Sequence, residues 1–154
     1  MDWVTVYEFA SDQARIAAMQ KATWGPTDSG VSPRPALVGT PDWWRAIEQG
    51  QLPRHVLEGK ISKVYWASMG DWPEFEMVTD NGASSRWTRE GDVARYVEGL
   101  RVRLTYTLHP WKVPKPSMGL GAESKIALRV ELERSDKRSD PRAPGPGGVG
   151  LRDS

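Results

Sequence analysis

Two runs in which apolar and polar residues alternate constrain the fold of this chain more than any other feature. Every second residue from Leu100 to Leu108 is apolar, and the same alternation recurs from Ile126 to Leu132. Successive side chains of a β-strand point to opposite faces, so each run predicts an antiparallel strand with one buried face and one solvated face. The second half of the chain therefore predicts a sheet that buries one side.

An earlier segment, residues 57–66, predicts a third strand with an irregularity in its middle. Leu57, Gly59 and Ile61 share one parity, whereas Val64 and Trp66 share the other. A strand whose phase slips once usually contains a bulge, which lets a long strand bend.

Residues 74–89 predict a hairpin around Asp80-Asn81-Gly82, and its register can be derived by counting. A two-residue turn would place Met77 opposite Arg86, whereas a three-residue loop with a left-handed Gly82 places Phe75 opposite Trp87. We predict the three-residue loop, because it pairs apolar with apolar and leaves no arginine facing the core.

A short helical turn, begun by Asp92 and ended by Gly99, separates the hairpin from the two alternating strands. The order strand, strand, strand, helix, strand, strand is that of the five-stranded OB barrel. We therefore predict an α+β, mainly β chain with a five-stranded antiparallel OB-like barrel at residues 54–134. A small SH3-like or other closed barrel is the alternative, since closure removes exposed strand edges.

Residues 1–53 are predicted to form an N-terminal arm with two short helices. Ser11 can cap one over residues 12–21, and Thr40, followed by Pro41, can cap another that ends at Gly50. The second helix carries an apolar stripe that either closes the barrel or contacts another chain; its members are Trp43, Trp44 and Ile47. Residues 135–154, rich in Pro and Gly, predict a disordered tail.

The composition of the chain excludes several classes of function. The 154 residues include 21 Lys or Arg and 20 Asp or Glu, for a net charge of +1, and no Cys, which excludes disulfides and thiolate zinc sites. No secretion signal or membrane span is evident, so we expect a cytoplasmic protein that does not contact a membrane. His55 and His109 lack metal spacing and are expected to be ordinary exposed or loop histidines, and Glu74 and Glu76 predict surface ion pairs. We therefore expect no catalytic residue, metal or cofactor.

Two loop tryptophans supply the candidate binding site. Trp72 lies between the first two predicted strands and Trp111 between the last two, and in an OB barrel these loops flank one groove. Basic residues accompany them, namely Lys112, Lys115, Arg101 and Arg103. Aromatic rings that stack on bases beside cations that follow phosphates predict a non-catalytic module for single-stranded DNA or RNA. The alternative is a protein-interaction module that uses the same aromatic surface or the Trp43, Trp44 and Ile47 stripe.

Overall fold

The computed structural model describes residues 2–113 and 122–134, which form one six-stranded antiparallel sheet and two α-helices. The strands are β1 (Trp3–Glu8), β2 (His55–Ala67), β3 (Trp72–Thr79), β4 (Ser84–Thr88), β5 (Arg101–Pro110) and β6 (Glu123–Glu133). The helices are α1 (Gln13–Trp24) and α2 (Pro41–Glu48), with short 3₁₀ turns at Phe9–Ser11 and Val93–Arg95. The strand order is β1-β6-β5-β2-β3-β4.

The prediction of a closed five-stranded OB-like barrel is wrong, whereas the mainly β α+β class and the two helices are confirmed. The sheet is open and has a sixth strand, because β1 pairs with β6 through residues of the arm that was predicted to hold only helices and loops. Closure would need β4 to pair with β6, and no such ladder exists in the described residues. The predicted tail at 135–154 lies outside the described residues.

The register of the β3–β4 hairpin confirms the three-residue loop. Phe75 pairs with Trp87 and Glu76 with Arg86, and Gly82 has a φ of 90°. The phase slip in β2 is also confirmed, as a register shift between Ile61 and Lys63. Strand β2 pairs with β5 from His55 to Lys60 and with β3 from Gly59 to Ala67.

Helix α2 packs against the core through the stripe that the sequence indicated. Thr40 caps α2 as predicted, and Trp43 and Ile47 are buried. The Trp43 indole donates a hydrogen bond to Nδ1 of His109 at 3.1 Å, and Nε2 of His109 donates to the Ser32 carbonyl at 2.7 Å. His109 is thus a fully buried core residue, contrary to the expectation of an exposed or loop histidine. Of the stripe, Trp43 and Ile47 are buried, whereas Trp44 is partly exposed.

Helix α1 differs from its prediction at both ends. Asp12 rather than Ser11 caps it, accepting from the Arg15 backbone N–H, and the helix continues to Trp24. No helix in the described part of the chain is long and apolar enough to cross a membrane.

Candidate binding groove

A groove of about 540 Å³ opens beside β4. One side is formed by the start of β3 and by β4, the opposite side by the first half of β6, and the third side by α1. Its apolar lining includes Trp72, Trp87, Trp111 and Met19. The volume lies in the range of roughly 300–1,000 Å³ typical of sites that bind ligands.

The groove exists because the sheet does not close. Strand β1 covers the edge of β6 only from Arg129 to Glu133, so residues 123–128 have no strand on that side. The gap between β6 and β4 is bridged by the side chain of Lys125, whose Nζ lies 3.3 Å from the Arg86 carbonyl oxygen and 4.1 Å from the centre of the Trp87 ring. The groove is therefore the open seam of a strongly curled sheet.

The tip of the β2–β3 hairpin, residues 66–72, carries apolar side chains out into solvent. Trp66 is 56% exposed, Trp72 is 44% exposed, and Met69 is fully exposed. The turn is left-handed at Ser68, Met69 and Gly70, with φ values of 52°, 62° and 93°. Because left-handed backbone costs a residue with a side chain roughly 1–2 kcal/mol, this turn is a strained conformation held by its surroundings.

Hydrogen bonds and ring contacts hold the hairpin tip in place. The Trp72 indole donates to Thr88 Oγ1 at 2.9 Å. The Arg89 guanidinium lies 5.1 Å from the Trp66 ring centre and donates through Nη2 to the Tyr65 carbonyl at 2.9 Å. Trp72 also lines the groove, so the tip and the groove form one continuous surface.

Charged groups on the groove walls fall into two sets. Arg15 pairs with Glu90 at 2.9 Å, and burial raises the pKa of Glu90 to about 7. Arg86 and Lys125, in contrast, have no carboxylate within ion-pair distance in the described ranges. Burial lowers the pKa of Lys125, and the charge of Glu74 opposes that effect. Lys125 thus lies at the seam without an ion-pair partner, whereas the Arg86 guanidinium lies over the neighbouring strands, 6.0 Å from the Tyr65 ring centre.

The structure brings the two predicted tryptophans together but does not bring the predicted cations to them. Trp72 and Trp111 line the same groove, and the Trp111 Nε1 is buried with no acceptor among the described residues. Lys112 instead closes the end of α1, where its Nζ binds the carbonyl oxygens of three residues at 2.9–3.2 Å, namely Ala22, Thr23 and Gly25. Lys115 lies outside the described residues.

The two predicted arginines are engaged with carboxylates. Arg101 pairs with Glu58 at 3.3 Å and with Asp80 at 3.4 Å. Arg103 binds Glu131 through two parallel hydrogen bonds of 2.9 and 3.0 Å, and its guanidinium lies 4.7 Å from the Trp3 ring centre. Cations neutralised in this way do not form a continuous track for phosphates.

Sequence reasoning missed several members of this surface. The sequence did contain an indication of the exposed tip, because two tryptophans, Trp66 and Trp72, flank the Ser68-Met69-Gly70 turn. Aromatic residues on both sides of a turn suit an apolar tip that faces solvent. Lys125 and Arg86 carried no such signal, since each is an ordinary polar position of an alternating strand. Within residues 2–113 and 122–134, no group of three or more His, Asp or Glu side chains is placed to hold a metal ion.

An exposed aromatic tip beside an aromatic groove is a type of surface that protein-binding modules present. The comparison with protein families identifies which one: residues 4–133 match the family of the immunity protein RhsI2, and the chain belongs to that family. No curated protein matches the sequence. The prediction of a single-stranded nucleic-acid binding module is therefore wrong, and the alternative of an interaction with a protein fits the family.

Proposed function

We propose that this chain is a non-catalytic immunity protein that neutralises a toxin of the Rhs class by binding to it. The observation that carries the proposal is the extent of the family match. Residues 4–133 run from the second residue of β1 to the last residue of β6, so the match includes both helices and all six strands of the described fold. The partner in this proposal is a protein.

The hairpin tip supplies the type of surface that binds proteins tightly. Tryptophan is enriched among the few residues that dominate interface energies, and Trp66 and Trp72 both expose large ring areas at the tip. The contacts of these rings with Arg89 and Thr88 hold them in place before the partner arrives. A pre-organised surface loses less conformational entropy on binding, so more of the contact energy appears as affinity.

The direct test is binding between the purified chain and the Rhs toxin encoded in the same genome. We expect a one-to-one complex by calorimetry, and protection from the toxin only when the chain is present in at least equal amount. Protection by far less than an equal amount would show turnover and contradict a non-catalytic role. No complex at micromolar concentrations would contradict the proposed function itself.

Variants locate the contact. We expect Trp66→Ala and Trp72→Ala each to weaken toxin binding at least tenfold, because truncation of an interface hot spot costs roughly 2 kcal/mol or more. Trp24→Ala is the matched control, since Trp24 is 67% exposed but lies at the end of α1. A larger loss in the control than in the tip variants would place the contact elsewhere.

Salt separates this function from nucleic-acid binding. A phosphate binder loses affinity steeply as salt rises, because cations on the protein release counterions from the polyanion. An interface built on tryptophans depends weakly on salt, since surface charges contribute little to its affinity. We expect the dissociation constant to change less than tenfold between 50 and 500 mM NaCl.

A further inference from the structure

We infer that the groove receives an extended segment of the toxin, which adds to the free edge of β4 as an additional strand and places a carboxylate at the ammonium group of Lys125. This inference rests on the proposed function, because the occupant is part of the toxin. It assigns a binding mode and a partner chemistry to the groove.

The outer edge of β4 has backbone groups of known parity that pair with no strand, although one of them, the Arg86 carbonyl, accepts from Lys125 Nζ at 3.3 Å. The Arg89 N–H binds the Pro73 carbonyl and the Thr79 N–H binds the Ala83 carbonyl, both at 2.9 Å. In an antiparallel ladder alternate residues bond to the neighbour, so the odd-numbered residues of β4 face β3. The N–H and C=O groups of Ser84, Arg86 and Thr88 therefore point away from β3, and the Lys125 ammonium group at the Arg86 carbonyl agrees with this parity.

The opposite side of the groove is also an uncovered strand edge. The Trp111 N–H binds the Ala122 carbonyl at 3.0 Å, and His109 pairs with Ser124. The even-numbered residues at the start of β6 therefore face β5, and the backbone groups of Glu123 and Lys125 point away from it. Strand β1 does not reach this part of β6.

A strand between these two edges would fill the seam. Neighbouring strands lie ~4.8 Å apart, so an inserted strand needs roughly 10 Å between its flanking strands. The present gap is bridged by one lysine side chain and a hydrogen bond of 3.3 Å, a span of this order. Extended peptides bind exposed sheet edges through main-chain hydrogen bonds, while pockets select alternate side chains. Trp72, Trp87 and Trp111 supply an apolar lining for those side chains.

Charge selects the chemistry of the segment. Of the acids on the groove walls, Glu90 already pairs with Arg15 and Glu74 accepts a hydrogen bond from the Tyr65 hydroxyl at 2.9 Å. Arg86 and Lys125 remain without an ion-pair partner in the part of the chain that the structure describes. An aspartate or glutamate of the incoming strand would pair with the Lys125 ammonium, and an ion pair of this kind forms a charge-assisted hydrogen bond.

Two substitutions at one position test strand addition. Arg86→Ala removes the guanidinium, whereas Arg86→Pro also removes the outward N–H, and proline is tolerated on an edge strand when its missing N–H faces away from the sheet. We expect Arg86→Pro to bind the toxin at least tenfold more weakly than Arg86→Ala, with similar unfolding midpoints. Equal affinities of the two folded variants would overturn strand addition.

Hydrogen exchange in the wild-type complex decides the matter if Arg86→Pro does not fold. In the free chain the amides of Ser85 and Trp87 are expected to exchange slowly, and those of Arg86 and Thr88 rapidly. Toxin binding should slow the exchange of Arg86 and Thr88 at least tenfold. Unchanged exchange at both amides would overturn the inference even though the toxin is bound.

Charge reversal tests the carboxylate. Lys125→Glu should weaken toxin binding at least tenfold, whereas Lys60→Glu, an exposed lysine of β2 outside the groove, should change it less than threefold. Equal effects would overturn the assigned chemistry.

A second copy of this chain as the occupant would appear as a dimer in light scattering that Arg86→Pro dissociates, and that result would also overturn the inference. If the wild-type chain does not bind the toxin, the proposed function fails, whereas normal binding by every groove variant removes only this inference.

Discussion

Replacing Glu90 by Gln should stabilise the protein above neutral pH. Glu90 is buried beside the groove, with its Oε1 2.9 Å from Nη2 of Arg15, and burial raises its pKa from 4.5 to about 7. The ion pair with Arg15 does not compensate for the loss of water around the carboxylate. A neutral Gln retains an amide oxygen that can accept from Arg15, and it removes the buried charge.

The size of the pH-dependent destabilisation follows from the pKa of Glu90 in the unfolded chain and its pKa in the folded chain. The folded chain binds the Glu90 proton more tightly than the unfolded chain, so the free energy of unfolding falls as pH rises from about 4.5 to about 7. A rise from 4.5 to about 7 corresponds to about 3 kcal/mol, at roughly 1.4 kcal/mol for each tenfold change in proton affinity. Most of this loss occurs between pH 5 and pH 8.

The pH dependence of the free energy of unfolding can be measured by urea unfolding at pH 5 and pH 8, with tryptophan fluorescence as the signal. We expect the stability difference between Glu90→Gln and wild type to grow by about 2–3 kcal/mol from pH 5 to pH 8, in favour of the variant. Glu98→Gln, at an exposed carboxylate, is the matched control and should show no such growth. A difference that is the same at both pH values would refute the reasoning, because it would show that the carboxylate is not penalised by burial.

Two further predictions concern the core and the sheet. Trp43→Phe removes the donor to the buried Nδ1 of His109 and should cost about 1–3 kcal/mol of unfolding free energy in urea; an unchanged stability would contradict the bond. Gly59→Ala should abolish the folded state in circular dichroism, because its Cβ would lie 2.7 Å from the Val78 carbonyl carbon and 2.8 Å from the Thr79 Cα. Gly25→Ala is the control, since its Cβ would meet no atom closer than 3.4 Å.

The parts of the fold that the sequence predicted well are those set by local chemistry. The β3–β4 register follows from the turn residues and from the need to keep Arg86 off the core face, and both act within 15 residues of chain. The bulge in β2 follows in the same way from a change of parity inside one strand. The cap of α2 requires only Thr40 and Pro41 to stand before an apolar stripe.

The open sheet could not be predicted in this way, because it depends on a contact between the two ends of the fold. The aromatic and β-branched run from Trp3 to Tyr7 is typical of a strand, but it does not indicate that the strand pairs with β6. Pairing with β1 occupies only the end of β6. The rest of the β6 edge faces β4 across the groove. Whether the sheet closes into a barrel therefore depends on how distant segments pair, which the pattern of one segment cannot indicate.

The candidate site shows the same limit. Trp72 and Trp111 were predicted to lie together because a closed barrel would bring their loops to one groove; they line one groove in a sheet that is open, so the reason given for their proximity is wrong. The partners of Arg101 and Arg103 lie on strands β2 and β6 and in the β3–β4 loop, so their neutralisation appears only after the sheet is assembled. A basic residue read from an alternating strand is therefore a weak indicator of a binding surface until its cross-strand neighbours are known.

Arg89 links the fold to the proposed interface and leads to the last prediction. It is buried, has no carboxylate within ion-pair distance among the described residues, and leaves its Nε without an acceptor. Its Nη2 donates to the Tyr65 carbonyl at 2.9 Å, while its guanidinium carbon lies over the Trp66 ring, 5.1 Å from the ring centre. A lysine ammonium lacks the rigid planar fork of the guanidinium, so it would not fix the same arrangement of carbonyl and ring. Arg89 is therefore a positioning residue for Trp66.

We expect Arg89→Lys to weaken toxin binding about tenfold, by releasing the Trp66 ring from its bound orientation. A purely structural role would lower stability and leave the affinity of the folded protein unchanged, so binding is measured where both variants are fully folded. A double-mutant cycle separates the two readings: in a Trp66→Ala background, Arg89→Lys should have little further effect on affinity. Independent, additive losses would contradict the positioning role, because they would mean that Arg89 acts on the toxin by a route that does not pass through Trp66.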